Sequence, residues 1–150
     1  MTDRKEVLDA LMKGMELEKE TFDLYTRLEE KTFNRDGKRI FHWLARTEEQ
    51  HYLKLSQLYS SLDTSGRWVF HGGTTFDLEP SQGESGFAAD DIQALETAME
   101  IEKKGIAWYE ELIAKTSDEE GKKMLGVLRD EEVEHLRVVV EKHAEVTGKR

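Results

Sequence analysis

Residues 15–25 read Met15-Glu16-Leu17-Glu18-Lys19-Glu20-Thr21-Phe22-Asp23-Leu24-Tyr25, and residues 99–109 read Met99-Glu100-Ile101-Glu102-Lys103-Lys104-Gly105-Ile106-Ala107-Trp108-Tyr109. The two stretches lie 84 positions apart. Without any gap the same offset carries Leu28 onto Leu112, Lys31-Thr32 onto Lys115-Thr116 and Gly37-Lys38 onto Gly121-Lys122. It then carries Leu44 onto Leu128, Glu48 onto Glu132 and His51 onto His135. One register held across a helical pattern, a turn and a second helical pattern identifies an internal repeat. Each half reads as a helical hairpin, and the chain as an all-α four-helix bundle with pseudo-twofold symmetry.

Working outward from the repeat, Glu, Lys, Leu, Met and Ala dominate both halves, and these are strong helix formers. The first two expected helices cover about 4–32 and 35–61, a third opens at Asp90 and a fourth at Ser117, making hairpins of about 4–61 and 90–147 within one domain spanning 1–150. Asp3 with Glu6, Asp90 with Gln93, and Ser117 with Glu120 have the spacing of capping boxes. The turn Thr32-Phe33-Asn34 leads into the second helix. Breakers gather at about 62–89, which holds the only proline, Pro80, together with Gly66, Gly72 and Gly73. An up-down-up-down bundle needs only a short loop there. A link of about 28 residues reaches at most about 90–100 Å, ample to run back along a helix of roughly 40 Å. The second and third helices are therefore expected to run parallel, joined by one long crossover as in ferritin-like bundles. Trp68-Val69-Phe70 is expected to pack on the bundle surface or on a partner subunit.

Composition removes whole classes of function. Zero Cys excludes disulfides, thiolate nucleophiles and every Cys-ligated metal site within these 150 residues. A net charge of −10, from 22 basic and 32 acidic residues, disfavours a protein that tracks nucleic-acid phosphates. No apolar run approaches the roughly 20 residues of a membrane span. The N-terminal stretch mixes both charge signs and does not read as a signal peptide, so a cytoplasmic location is expected.

The chemistry sits on the apolar stripes. At three- and four-residue spacing the inward face of the first helix is Val7, Leu11, Met15, Glu18, Phe22, Tyr25 and Leu28. The second gives Phe41, Leu44, Glu48, His51, Leu55 and Leu58; the third gives Leu95, Met99, Glu102, Ile106, Tyr109 and Ile113; the fourth gives Leu125, Leu128, Glu132, His135 and Val139. Glu and His three apart share one helix face. Buried unpaired carboxylates cost several kcal/mol each, and four together repel or take up protons. No Lys or Arg stands at the central stripe positions. Two divalent cations would balance four carboxylates, and oxygen donors with one imidazole per metal suit iron or manganese. One Glu from each of two helices, with Glu-x-x-His from each of the others, is the arrangement that holds a metal pair in helical bundles. Glu18, Glu48, His51, Glu102, Glu132 and His135 are the expected ligands.

The remaining polar residues have plainer readings. Glu16, Glu20, Glu49, Glu100, Glu131 and Glu134 fall off the stripes and read as solvated. Tyr25 and Tyr109 lie two turns beyond Glu18 and Glu102 on the same face, as core tyrosines or as hydroxyls bonded to a ligand carboxylate. His42, His71 and His143 read as surface or packing histidines, and Trp43, Trp68 and Trp108 as packing.

At Glu18 with Tyr25, Glu48-x-x-His51, Glu102 with Tyr109, and Glu132-x-x-His135, the chain resembles the rubrerythrin-like branch of the ferritin-like superfamily. The resemblance covers both hairpins and leaves the crossover unmatched. It implies a di-iron centre that meets oxygen or peroxide, with manganese or zinc as substitute metals. Glu18 and Glu102 would be terminal ligands, Glu48 and Glu132 would bridge, and His51 and His135 would each bind one ion. Two departures stand out. Archetypal rubrerythrins carry a four-cysteine, rubredoxin-like iron site, and they carry a further glutamate three residues after the third-helix ligand. Here there is no Cys, and that further position is Gly105. The ligand set is the symmetric six-residue one, closer to bacterioferritin.

Three functions follow as expectations. The first is an oxidoreductase of peroxidase type that reduces H2O2 or O2 and draws on an external electron donor. The second is ferroxidase turnover in an iron-sequestering, cage-forming subunit. The third is a bundle whose metal only stabilises the fold. The resemblance also implies a homodimer.

Overall fold

The computed structural model describes residues 4–69, 77–78 and 86–148. Four helices follow in chain order: α1 (Arg4–Lys31), α2 (Arg35–Ser65), α3 (Ala89–Lys115) and α4 (Glu119–Thr147). They form the expected ferritin-like four-helix bundle, with no strand among the described residues. None of these helices is long and apolar enough to cross a membrane.

The repeat is visible in the hairpin turns. Thr32 and Thr116 each donate a hydroxyl to the carbonyl four residues back, Leu28 and Leu112, at 2.7 Å. Asn34 and Asp118 then accept from the backbone N–H of Gly37 and Gly121 at 3.0 Å, which satisfies one orphan donor of each following helix. The α4 cap is thus Asp118, one residue later than the expected Ser117, because the repeat aligns Asp118 with Asn34 and Ser117 with the exposed Phe33. At α3 the expected Asp90–Gln93 pair is replaced by Asp91, whose carboxylate accepts from Ala88 N at 3.1 Å. Asp3, the expected α1 cap, lies outside the described residues.

Helix α2 runs four residues beyond the expected 61. Leu62 is buried in the core, and only Gly66, at φ 71°, turns the chain out of the helix, its N–H bonding Leu62 O at 3.0 Å. The Arg4 guanidinium bonds the carbonyls of Leu62 and Asp63. This covers orphan acceptors at the α2 C-terminus.

Two close approaches fix the topology. A Cβ on Gly121, in the first turn of α4, would fall 2.4 Å from the Trp68 indole. A Cβ on Gly37, in the first turn of α2, would stand 3.5 Å from the Phe87 ring. The chain therefore leaves α2 at the end where α4 begins and enters α3 at the end where α2 begins. Helices α2 and α3 run parallel, with Trp68 at one end of the bundle and Phe87 at the other. Trp68 packs on the bundle, buried against α4, while Val69 is exposed. Phe70, Gly72, Gly73 and Pro80 lie outside the described residues.

The apolar core is divided. One cluster gathers Val7, Leu11, Leu55, Leu58, Leu125 and Leu128 with Trp68. The other gathers Ile40, Phe41, Leu44, Leu95, Ala98 and Val139 with Trp43. Tyr109 closes the first and Tyr25 the second. Between them lies a polar layer. Every stripe residue expected on α2 and α4 is buried, whereas Met15, Phe22, Leu28, Met99, Ile106 and Ile113 are half-buried. A cavity in the seam between α1 and α3 leaves that side less closely covered.

Candidate metal centre

Midway along the bundle each helix turns a carboxylate inward. Glu18, Glu48, Glu102 and Glu132 are between 1% and 5% exposed. One turn beyond the α2 and α4 glutamates, His51 and His135 come from the same faces, and their rings stack with centroids 5.8 Å apart. Donor atoms of Glu18, Glu48, His51 and Glu132 all lie within 4.8 Å of one another, as do those of Glu48, Glu102, Glu132 and His135. The two sets share Glu48 and Glu132. All six residues singled out on the stripes are thus brought into one layer.

Many of the layer's polar atoms have no partner. Glu18 Oε2, Glu48 Oε1, Glu102 Oε2 and His135 Nδ1 are buried without a hydrogen bond. His135 Nδ1 stands 3.5 Å from Glu48 and Glu132 and 3.7 Å from Glu102. Orphaned acceptors aimed at a common point carry a large desolvation cost, and a cation at that point removes it. The donor chemistry, all oxygen and imidazole, fits a pair of divalent transition-metal ions.

The titration behaviour follows from this crowding. Burial, then the charges of Glu132, Glu18 and Glu102, push the Glu48 carboxyl well above its usual range. Glu102 is raised in the same way, by burial and by Glu132. Glu132 goes the other way: burial opposes ionisation, but Glu102, His135 and His51 together hold its carboxyl well down. Burial disfavours the imidazolium of His135, yet Glu102 and Glu132 raise it to about 9. His51 is also raised against burial, by Glu131 and Glu132. Without cations the layer therefore neutralises itself by keeping protons.

Both tyrosines are fully buried and bonded to the layer. Tyr25 donates to Glu102 at 2.7 Å and Tyr109 donates to Glu18 at 3.0 Å. Each hydroxyl reaches the glutamate of the other repeat, not the one on its own helix. Burial and the adjacent carboxylates hold both phenols well above the usual range, so each remains a donor.

One residue read as solvated is corrected. Glu131 is half-buried, with Oε1 2.8 Å from His51 Nε2 and Oε2 3.7 Å from Lys54 Nζ. It lies one position off the α4 stripe, and its partners are on α2, so helix periodicity alone assigned it to solvent. Lys54 is itself buried, at 5% exposure. The other off-stripe glutamates behave as expected: Glu16, Glu49, Glu100 and Glu134 make surface pairs with Lys13, Arg46, Lys103 and Arg137, and Glu20 is exposed. His42 pairs with Glu29 and His143 with Glu96 outside the layer; His71 lies outside the described residues. Trp43 does pack, with its edge on the His135 ring at 4.9 Å, and Trp108 packs on Tyr109.

The seam between α1 and α3 holds a cavity of about 300 Å³, walled by Leu17, Thr21, Leu24, Ile101 and Trp108. Exposed Glu20 and Lys104 stand at its solvent side. Its floor is Glu18, Glu48, Glu132 and Gly105. A path for small molecules thus reaches the carboxylate layer.

Comparison with known proteins agrees with this geometry. The family model described as Rubrerythrin matches residues 9–141. A crystal structure from Thermotoga maritima, described as a ferritin-like diiron-carboxylate protein, superposes with a TM-score of 0.71 at 25% identity, covering 97% of this chain and 96% of that one. A hypothetical protein from Pyrococcus furiosus superposes with a TM-score of 0.74 at 24% identity, covering 95% of this chain and 90% of that one, and so shares the fold. Among curated proteins nothing matches.

Proposed function

The chain belongs to the rubrerythrin family, and from that premise we propose that it holds two iron ions in the bundle core and uses them to reduce hydrogen peroxide or dioxygen. Glu18 and His51 would hold one ion, Glu102 and His135 the other, and Glu48 and Glu132 would bridge the pair. The observation that carries the reading is the sharing of Glu48 and Glu132 between two buried four-residue donor sets. Manganese and zinc suit the same donors. Bound there, two ferrous ions supply the two electrons that, with two protons, take one H2O2 to two waters.

The chain's own residues supply geometry and charge. Four carboxylates match the charge of two divalent cations, and a site balanced in this way avoids the cost of buried net charge. The Tyr25 and Tyr109 hydroxyls fix the orientation of Glu102 and Glu18 and leave the other oxygen of each aimed into the layer. Between the apolar clusters, the α1–α3 cavity gives small molecules access to the layer. Gly105 keeps that cavity open above Glu132: the position of its missing Cβ is 3.7 Å from the Glu132 carboxyl carbon. With no Cys in these 150 residues, the electrons that restore the ferrous state come from an external donor.

The test is elemental analysis of anaerobically iron-loaded protein, followed by absorbance on adding one equivalent of H2O2 and, separately, O2. Two irons per chain oxidised promptly by peroxide and slowly by O2 is the expected result. Faster oxidation by O2 would shift the reading to iron oxidation for storage. No iron bound, or bound iron inert to both oxidants, would overturn the proposal.

A further inference from the structure

The internal repeat makes the two halves of the metal layer nearly superimposable in sequence, and it fails at one place that matters. His51 is held from both sides. Its Nδ1 faces the layer, 2.9 Å from Glu132 and 3.9 Å from Glu18. Its Nε2 faces outward, 2.8 Å from Glu131, whose other oxygen is 3.7 Å from buried Lys54. The repeat register of 84 places Thr47 in the position of Glu131 and Val138 in the position of Lys54. Thr47 spends its hydroxyl on Leu44 O at 2.9 Å. Among the described residues no carboxylate pairs with the outer nitrogen of His135; its ion-pair contacts all run through Nδ1, and the ring meets the edge of Trp43.

The chemical consequence is specific. A carboxylate accepting from Nε2–H fixes the imidazole tautomer with its lone pair on Nδ1, locks the ring orientation and raises the donor strength of Nδ1. Lys54 holds Glu131 in that role and balances its charge, so the tether adds no net charge beside the layer. His135 has neither part. We infer that Glu131 is a positioning residue that makes the two metal positions unequal: the Glu18–His51 position binds a divalent ion more tightly and fills before the Glu102–His135 position.

This inference rests on the two-metal reading above, and calorimetric titration of the metal-free protein with Zn2+ alone separates the two. The expected result is two one-ion steps of different affinity. Removing a hydrogen-bond partner of a ligand histidine costs about 10–100-fold in metal affinity, so Glu131→Gln should weaken the tight step by that factor and leave the weak step in place. Glu131→Asp, which retains the carboxylate, should recover part of the loss. His135→Ala should keep the tight step and His51→Ala should lose it. Circular dichroism of each variant confirms that the bundle is folded before titration. Two steps of equal affinity, or a Glu131→Gln effect shared by both steps, would overturn the inference and leave the two-metal site standing. Fewer than two ions bound by the unaltered protein would instead bring down the two-metal reading itself.

Discussion

The Tyr25 hydroxyl donates to Glu102 at 2.7 Å, crossing from the first repeat to the second, and the reciprocal bond from Tyr109 to Glu18 measures 3.0 Å. These two bonds tie α1 to α3 at the level of the polar layer, beside a cavity where the helices share little apolar contact. A hydrogen bond to an ionised group contributes about 1.5–3 kcal/mol, against about 1 kcal/mol for a neutral pair. Burial and Glu132 disfavour the ionised form of Glu102 when the layer lacks cations, and bound cations would favour it. Tyr25→Phe should therefore destabilise metal-loaded protein by roughly 2 kcal/mol and metal-free protein by about half as much. Urea denaturation of both forms checks this, and an equal loss in the two would show that Tyr25 is only a core filler.

Glu48 offers a sharper separation of stability from function. In the metal-free layer burial and three neighbouring carboxylates favour its neutral form, and a glutamine amide has nearly the shape of a protonated carboxyl. Glu48→Gln should leave the melting temperature of metal-free protein unchanged or higher. It should also abolish most of the stabilisation that added metal confers by mass action, because one of the two carboxylates common to both donor sets is gone. A drop in metal-free stability of more than about 2 kcal/mol, the scale of a newly unsatisfied buried group, would contradict this account.

Much of this layer was legible in the sequence because it violates helix periodicity. Glu18, Glu48, Glu102 and Glu132 stand where apolar residues are expected, and the repeat at a fixed offset shows that the violation occurs twice. The crossover was legible for a similar reason: too many residues separate the hairpins for a simple turn. What the sequence hid were relationships between helices. Glu131 is one residue off its stripe, and only its contact with His51 and Lys54, about 80 positions away, draws it inward. The crossed tyrosine bonds were hidden because their register depends on how α1 faces α3. The α4 cap lies one residue past the expected one because Thr116, Ser117 and Asp118 compete for it, and at α3 the chain enters the helix two residues earlier than expected, with Asp91 rather than Gln93 reaching back to the cap.

The metal-free protein should lose stability as the pH rises from 6.5 to 9. His135 has its pKa raised from 6.5 to about 9 in the folded state, so its contribution is fully present below 6.5 and disappears as the pH climbs through about 9. That contribution is on the order of 3 kcal/mol for this nearly fully buried group. His51, Glu48 and Glu102 are raised as well and act in the same direction. Glu132 is lowered, so its contribution is lost only as the pH falls through its depressed value, at the acid end. Metal-loaded protein should show the opposite slope, since protons compete with the ions for the same donors. Denaturation midpoints of chelator-treated and Zn2+-loaded protein at pH 6.5 and pH 9 test both slopes.

Gly105 controls access rather than affinity. A Cβ there would meet Glu132 at 3.7–3.9 Å, an ordinary contact, so Gly105→Ala should fold, bind the same number of ions and react with peroxide at close to the unaltered rate. A leucine at the same position would extend into the cavity of about 300 Å³ above Glu132 and stand between the solvent and the layer. Gly105→Leu should keep the metal content while slowing oxidation of the loaded protein by H2O2 about tenfold, equivalent to roughly 1.4 kcal/mol on the barrier. Replacing exposed Lys104 with Gln, at the outer edge of the same cavity, should change the rate far less, because H2O2 is uncharged and the side chain has solvent to move into. Stopped-flow absorbance on the three variants distinguishes the possibilities: a Gly105→Leu protein that loads iron and reacts at the unaltered rate would mean that the oxidant enters elsewhere.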